Sequence, residues 1–138
     1  MSAVNAFGAD ARLHHIGVAV GSIKEVNPEL ESVHDPIQRV RVAFFRMHDL
    51  TIELIEPAGE NSPVEGSLAK GVKLLHTCFE VDRLEVAIAS GRAAGFQPIR
   101  PPTPATAFGG RRIAWVYSRV LGLVELLERA ARTGDESP

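Results

Sequence analysis

Residues 13–20 read Leu-His-His-Ile-Gly-Val-Ala-Val and residues 75–81 read Leu-His-Thr-Cys-Phe-Glu-Val. One strand-like phrase thus occurs twice, with a histidine at the same place, His15 and then His76. Each copy is followed by a closing phrase, Ile52-Glu53-Leu54-Ile55-Glu56 in the first half and Val124-Glu125-Leu126-Leu127-Glu128 in the second. The histidines lie 61 positions apart (76 against 15) and the glutamates 72 apart (125 against 53), which puts about eleven extra residues inside the second copy. A period of this size exceeds the roughly 20–50 residues of stacked repeats, so the chain reads as two paired units within one domain.

Alternation within the repeated strands carries the chemistry. Successive side chains point to opposite faces of a strand. His15, Gly17 and Ala19 share one face, against Ile16, Val18 and Val20 on the other. The same parity sets His76, Cys78 and Glu80 against Thr77, Phe79 and Val81, and Glu125 against Val124 and Leu126. Two imidazoles and two carboxylates can converge on one concave surface, with Cys78 and Glu80 as further candidates for its lining. His14 falls on the core side by parity and is expected to be a hydrogen-bonded structural histidine. Glu56 and Glu128 fall opposite Glu53 and Glu125 and are expected to be solvated or ion-paired.

A chain of 138 residues with 45% hydrophobic and 23% charged residues supports one soluble globular domain with a real core. Lys and Arg number 15 against 17 acids and form no basic stretch beyond Arg111-Arg112, which argues against a nucleic-acid partner. No apolar run reaches membrane-spanning length, and the first residues lack the basic and apolar regions of a signal peptide. The default expectation is cytoplasmic residence, consistent with the single cysteine, Cys78, which cannot form an internal disulfide.

In chain order, residues 1–11 are expected to be loosely ordered. Ser22 and Glu25 suggest a capping box for a first helix, short or interrupted because Pro28 follows, and Asp82 to Glu85 suggest another cap. Val40 to Met47 and Thr51 to Glu56 form a hairpin, and Ser62-Pro63 can start a helical turn carrying Val64 and Leu68. Leu84, Ala87, Ile88, Gly91 and Ala94 form an apolar helical stripe ended by Gly95. Strands are expected at Phe96 to Arg100, Ile113 to Tyr117 and Leu123 to Glu128, with the inserted residues between Pro101 and Arg112. Each half is then strand, helix, strand, strand, strand. The fold class is α+β: two tandem βαβββ modules forming a cupped, eight-stranded mixed sheet around a cleft. The single domain divides into module one at about 13–57, a linker at 58–73, module two at about 74–128 and a tail at 129–138.

Laid out in this way, residues 13–128 resemble the vicinal oxygen chelate superfamily, the glyoxalase, bleomycin resistance and dioxygenase group. Within it the chain is most similar to methylmalonyl-CoA epimerase, through His15 to Val20, Val42-Ala43-Phe44, Ile52 to Pro57, Ser62-Pro63-Val64 with Leu68, and Glu80-Val81-Asp82. The resemblance implies that His15, Glu53, His76 and Glu125 hold a divalent metal. Cobalt, nickel, zinc, manganese or iron would each suit two imidazoles and two carboxylates. It further implies metal-assisted removal of a proton next to a carbonyl, as an epimerase or isomerase on an acyl-CoA, with Glu125 and Glu53 as the catalytic candidates. The alternatives are a lactoylglutathione lyase of the glyoxalase I type and a small-molecule binding protein of the same fold. A homodimer is compatible with the resemblance.

One departure from the epimerase pattern is local. Aligning Pro36 to Val40 on the family's Pro-Glu-Gln-Gly-Val stretch places the family's catalytic glutamate near Ser32 to His34, where only a slipped register would let Glu31 or His34 substitute. Arg119 to Gly122 also replaces a glycine pair of the family. Arg111 and Arg112 are candidate clamps for a substrate phosphate or carboxylate. Phe108, in a Pro- and Gly-rich loop, is a candidate lid and substrate contact. Trp115 is expected to serve packing, and Gly109-Gly110 lacks the pattern of a phosphate loop.

Overall fold

The computed structural model describes residues 3–130. Its first module contains β1 (Arg12–Ala19), α1 (Ile23–Val26), β2 (Val33–Asp35), β3 (Val40–Met47) and β4 (Leu50–Pro57). After α2 (Pro63–Ala69), the second module contains β5 (Leu74–Val81), α3 (Leu84–Ala93), β6 (Gln97–Pro104), β7 (Arg112–Ser118) and β8 (Gly122–Glu128). All eight strands join one sheet in the order β2-β3-β4-β1-β5-β8-β7-β6, the α+β fold expected from the repeat. Within each module the first and last strands pair in parallel, β1 with β4 and β5 with β8, and the modules meet along the antiparallel β1–β5 pair. The four histidine and glutamate strands are thereby the four central strands. No helix among the described residues is long and apolar enough to cross a membrane.

Both crossover helices start on a residue from a neighbouring strand. Ser22 occupies the N-cap of α1 but makes no side-chain cap bond, and the N-cap of α3 is Arg83, which makes none either. Instead, Glu56 accepts the Ile23 N–H at 2.7 Å and Glu128 accepts the Leu84 N–H at 3.1 Å. Each carboxylate sits three positions beyond Glu53 or Glu125, on the convex face of the strand parallel to the one that feeds the helix. A negative charge there satisfies an orphan donor and complements the helix dipole. The expected capping box of α1 is corrected accordingly, and Glu56 and Glu128 are structural caps.

The extra length of module two is distributed differently from the expectation. α1 has four residues and α3 has ten, so six of the extra residues lengthen the helix and are not in the 101–112 loop. β6 continues through Pro98, Pro101, Pro102 and Pro104, with register shifts on either side of Arg100. It is an edge strand, where a missing N–H leaves no ladder bond unmade.

Residues 3–11, expected to be loose, are packed. Ala6 is buried in the cluster formed by Val81, Leu84, Val116 and Leu126, and the Phe7 ring lies 4.8 Å from that of Phe96. Ser90 Oγ donates to the Ala6 carbonyl at 2.7 Å. This segment covers the convex face of module two beside α3, where each fully buried Leu or Val contributes about 1.5–3 kcal/mol. Arg129 is tied to the Asp10 carbonyl at 2.9 Å, and the rest of the expected tail, 131–138, lies outside the described residues.

Candidate metal centre

Strand register builds the site in two rows. Phe44 pairs with Glu53, Glu53 with Gly17, and Gly17 with His76. In the other direction Trp115 pairs with Glu125, Glu125 with Cys78, and Cys78 with His15. Directly paired residues share a face, so an approximate two-fold between β1 and β5 relates His15 to His76, Glu53 to Glu125, Gly17 to Cys78 and Phe44 to Trp115.

The rows bring the four candidate ligands together in a buried ring. His15 Nε2 is 3.2 Å from Oε1 of Glu53 and 3.2 Å from Oε1 of Glu125, and His76 Nε2 is 3.3 Å from each of the same oxygens. All four side chains are buried. His15 Nε2, His76 Nε2 and Glu125 Oε1 nevertheless have no hydrogen-bond partner. Buried polar atoms close together but not aimed along mutual hydrogen bonds are costly unless something between them satisfies them all. Two imidazole nitrogens and two carboxylate oxygens separated in this way suit ligands each about 2 Å from a common divalent ion. The donor set therefore fits a transition metal held by His15, Glu53, His76 and Glu125.

Electrostatics of the ring itself point the same way. Burial would lower the His76 pKa, but the adjacent carboxylates of Glu125 and Glu53 outweigh it and raise the value to about 9. His15 is raised against the same burial by the same pair. Burial would raise Glu125, yet the two imidazoles hold it down at about 2. Two carboxylates here require positive charge between them, which two imidazolium protons or one divalent cation can supply.

Gly17 makes the ring possible, a role its place in the repeated phrase did not reveal. A Cβ at Gly17 would stand 2.2 Å from Cε1 of His76, so the imidazole lies directly over its backbone. The signal was the absence of a side chain on the inward face opposite a ligand.

His14 does not follow parity. The pairing shifts between Leu13 and His15, and the irregularity turns His14 toward the site, with its Nδ1 2.8 Å from His15 Nδ1. Ligation through His15 Nε2 would leave the hydrogen on Nδ1, so that His15 would donate to His14 and its ring would be held in one tautomer. Burial and the neighbouring His15 charge lower the pKa of His14, which keeps it a neutral acceptor.

The substrate candidates separate. Arg112 projects from the convex face and binds Glu85 and Glu128 at 2.8–3.0 Å, so its expected place in the cleft is corrected. Arg111 shares the inward face but pairs with Glu80 at 2.6 Å, and that pairing lowers the Glu80 pKa against its burial. Cys78 is fully buried, its thiol pushed well above the ordinary value by burial and by the carboxylates of Glu125 and Glu53. It is a spacer under His15 and is not reactive. Phe108 is the last residue of a 3-10 turn at Thr106–Phe108 and stacks 5.8 Å from the His15 ring, closing one end of the cup. It plugs that end, and the open cavity lies on the other side of the ring.

That cavity has a volume of about 460 Å3, with Glu53, His76 and Glu125 at its inner end. Apolar walls come from both modules, including Val42, Ile55 and Leu123, and α2 closes one side through Val64. Trp115, expected as packing, stands in the wall with its ring edge-on to His76 at 4.8 Å. On β2 the residues that face inward are Val33, paired with Val42, and Asp35, paired with Val40, while His34 pairs with Arg41 on the outer face and Glu31 is exposed. The aligned stretch, residues 32–34, therefore presents Val33 and no acid inward, and the acid that β2 does turn inward, Asp35, accepts from the Ile37 and Gln38 N–H groups and from Gln38 Nε2.

With this geometry, the comparisons with known proteins agree. The sequence pattern of the Glyoxalase/Bleomycin resistance protein/Dioxygenase superfamily matches residues 14–115. An uncharacterized protein of Bacillus subtilis is 36% identical over 129 residues, spanning 85% of this chain and 91% of its own. The ethylmalonyl-CoA/methylmalonyl-CoA epimerase of Cereibacter sphaeroides is 26% identical over 128 residues, spanning 83% of this chain and 96% of its own. Among solved structures, a variant of Streptomyces coelicolor methylmalonyl-CoA epimerase in complex with 2-nitronate-propionyl-CoA superposes with a TM-score of 0.74 at 26% identity, covering 87% of this chain and 95% of that one. The chain belongs to the Glyoxalase/Bleomycin resistance protein/Dioxygenase superfamily, and the named relatives it is similar to within that superfamily are enzymes.

Proposed function

We propose that this protein is a divalent-metal-dependent epimerase or isomerase that removes a proton from the carbon next to a carbonyl, acting on an acyl-CoA or similar thioester. The observation that carries the reading is the buried ring of His15, Glu53, His76 and Glu125, with partnerless donor atoms, at the end of an apolar cavity. The similarity to epimerases of acyl-CoA substrates supports the choice of substrate class.

A divalent ion held by these four residues would act as a Lewis acid toward the carbonyl oxygen and stabilise the negative charge that develops there. The chain's own residues do the rest. Glu53 and Glu125 each face the imidazoles through Oε1, which leaves Oε2 to take or return a proton. They enter from opposite modules, so each can serve one side of a planar carbanion. The apolar walls exclude water, which strengthens these interactions and protects the carbanion from random protonation.

Incubating the metal-loaded protein with acyl-CoA thioesters in deuterium oxide tests this directly. Deuterium is expected at the carbon next to the thioester carbonyl, with at least a hundredfold loss of exchange in Glu125→Gln and in Glu53→Gln; no exchange with any thioester would refute the reading. Inward Val33, with the Asp35 carboxylate committed to Ile37 and Gln38, favours one second reading, because a proton shift along a single substrate needs no acid from β2. That reading is a lactoylglutathione lyase, and turnover of the methylglyoxal–glutathione hemithioacetal distinguishes it.

A further inference from the structure

The cavity contains a charged group that the metal ring does not use. Arg100 on β6 pairs with Trp115, which pairs in turn with Glu125, so the row that carries the ligands ends on this arginine. Cross-strand pairing puts all three on the concave face, and Arg100, exposed, lines the cavity at its rim on the side of Gln38. No carboxylate among the described residues lies within ion-pair distance of it. The nearby Asp35 is buried and accepts from the Ile37 and Gln38 N–H groups and from Gln38 Nε2. Arg111, which also faces inward, is paired with Glu80.

Charge balance gives this arginine a function. Two carboxylates and one divalent cation cancel at the inner end, and Arg100 is then the one remaining charge among the cavity's lining residues. A cavity of about 460 Å3 holds an acyl group with part of its carrier, so an anion on the same molecule can reach the rim while the carbonyl faces the ring. A guanidinium presents a planar fork matched to a carboxylate or phosphate. We infer that Arg100 is an anion-recognition site that selects substrates bearing a carboxylate or phosphate at the end remote from the reacting carbonyl. This deepens the reading under Proposed function and rests on it for the orientation of the substrate.

Binding is read from the fluorescence of Trp115, the chain's single tryptophan, in full-length metal-loaded protein and in Arg100→Gln. Arg100 is exposed, and metal content and circular dichroism verify that the variant keeps its fold. Three probes separate the anion sources: glutaryl-N-acetylcysteamine carries a carboxylate alone, at the acyl end remote from the thioester carbonyl, propionyl-CoA the phosphates alone, and propionyl-N-acetylcysteamine neither. The expected result is a loss of about tenfold or more for one anionic probe and less than twofold for the neutral one. Loss with the first probe identifies an acyl carboxylate and loss with the second a carrier phosphate. Equal affinities in wild type and variant for all probes, or no binding of any probe to the wild type, would overturn the inference. Arg100-dependent binding without deuterium exchange would sustain anion recognition and remove the epimerase reading. Exchange with Arg100-independent binding would do the reverse.

Discussion

The two modules share the parts that hold the ring and differ in the parts that enclose it. Each contributes a histidine from its first strand, a glutamate from its last, and a second glutamate three positions later that caps its own helix. Around this frame the copies diverge. Module one has a four-residue helix and a three-residue edge strand; module two has a ten-residue helix and an eight-residue edge strand, and it is covered by the N-terminal segment. The four ring residues tolerate no drift because their positions are set by direct strand pairing at the pseudo-two-fold axis. Edge strands and loops answer only to the cavity, which is where a substrate would be distinguished.

The sharpest break in the symmetry is the pair Gly17 and Cys78, which occupy equivalent places beneath His76 and His15. Gly17→Ala is expected to displace the His76 ring, to abolish stoichiometric metal binding, and to lower stability by about 2–4 kcal/mol, because the clash at 2.2 Å forces a buried imidazole out of its place between the two carboxylates. Cys78→Ala is expected to keep one equivalent of metal and to cost about 1–2 kcal/mol for a small cavity. Elemental analysis and urea denaturation compare them; retention of metal by Gly17→Ala would show that the two halves are not constrained as the register implies.

Proton linkage tests whether the two histidines are equivalent. The His76 pKa is raised to about 9 in the metal-free fold, so its contribution to stability is full below its ordinary value of 6.5 and is lost as pH rises through about 9. Glu125, lowered to about 2 from 4.5, contributes fully above 4.5 and loses that contribution as pH falls through about 2. The metal-free ring is thus most favourable between about 4.5 and 6.5, whereas a metal needs both imidazoles deprotonated. The difference in Tm between zinc-loaded and metal-free protein should widen from pH 6.5 to 9. His15→Gln and His76→Gln should flatten that rise equally, and a rise that survives in one variant alone would separate the halves.

The smallest effect concerns the caps. Glu56→Ala and Glu128→Ala each remove a carboxylate from a helix N-terminus, at about 1 kcal/mol. Glu128 also binds Arg112, an interaction that lowers the Glu128 pKa, so the module-two variant is expected to cost somewhat more in chemical denaturation. Equal costs would mean that the surface ion pair adds nothing measurable.

Much of the site was legible because strand alternation is a local property. Two histidines and two glutamates at matching parity in a duplicated phrase were enough to nominate all four ring residues. His14 was misplaced by the same rule, since one extra residue in the β1–β5 pairing reverses parity and nothing in Leu13-His14-His15 announces it. Arg111 and Arg112 looked alike as neighbours, yet alternation sends one to Glu80 and the other to Glu128. Arg100 passed unnoticed in a proline-rich run whose continuation as an edge strand depends on pairing with β7.

The sequence by itself determined that the chain is two βαβββ copies and which face of each repeated strand carries ligands, because periodicity and duplication are written along the backbone. Only the tertiary structure decided that Gly17 lies under His76, that Phe108 closes one end of the cup, that strand-borne glutamates cap the helices, and that Arg100 stands at the cavity without a carboxylate partner among the described residues. Each of these depends on which residue comes to lie beside which across the sheet, and that is set by pairing between segments dozens of residues apart.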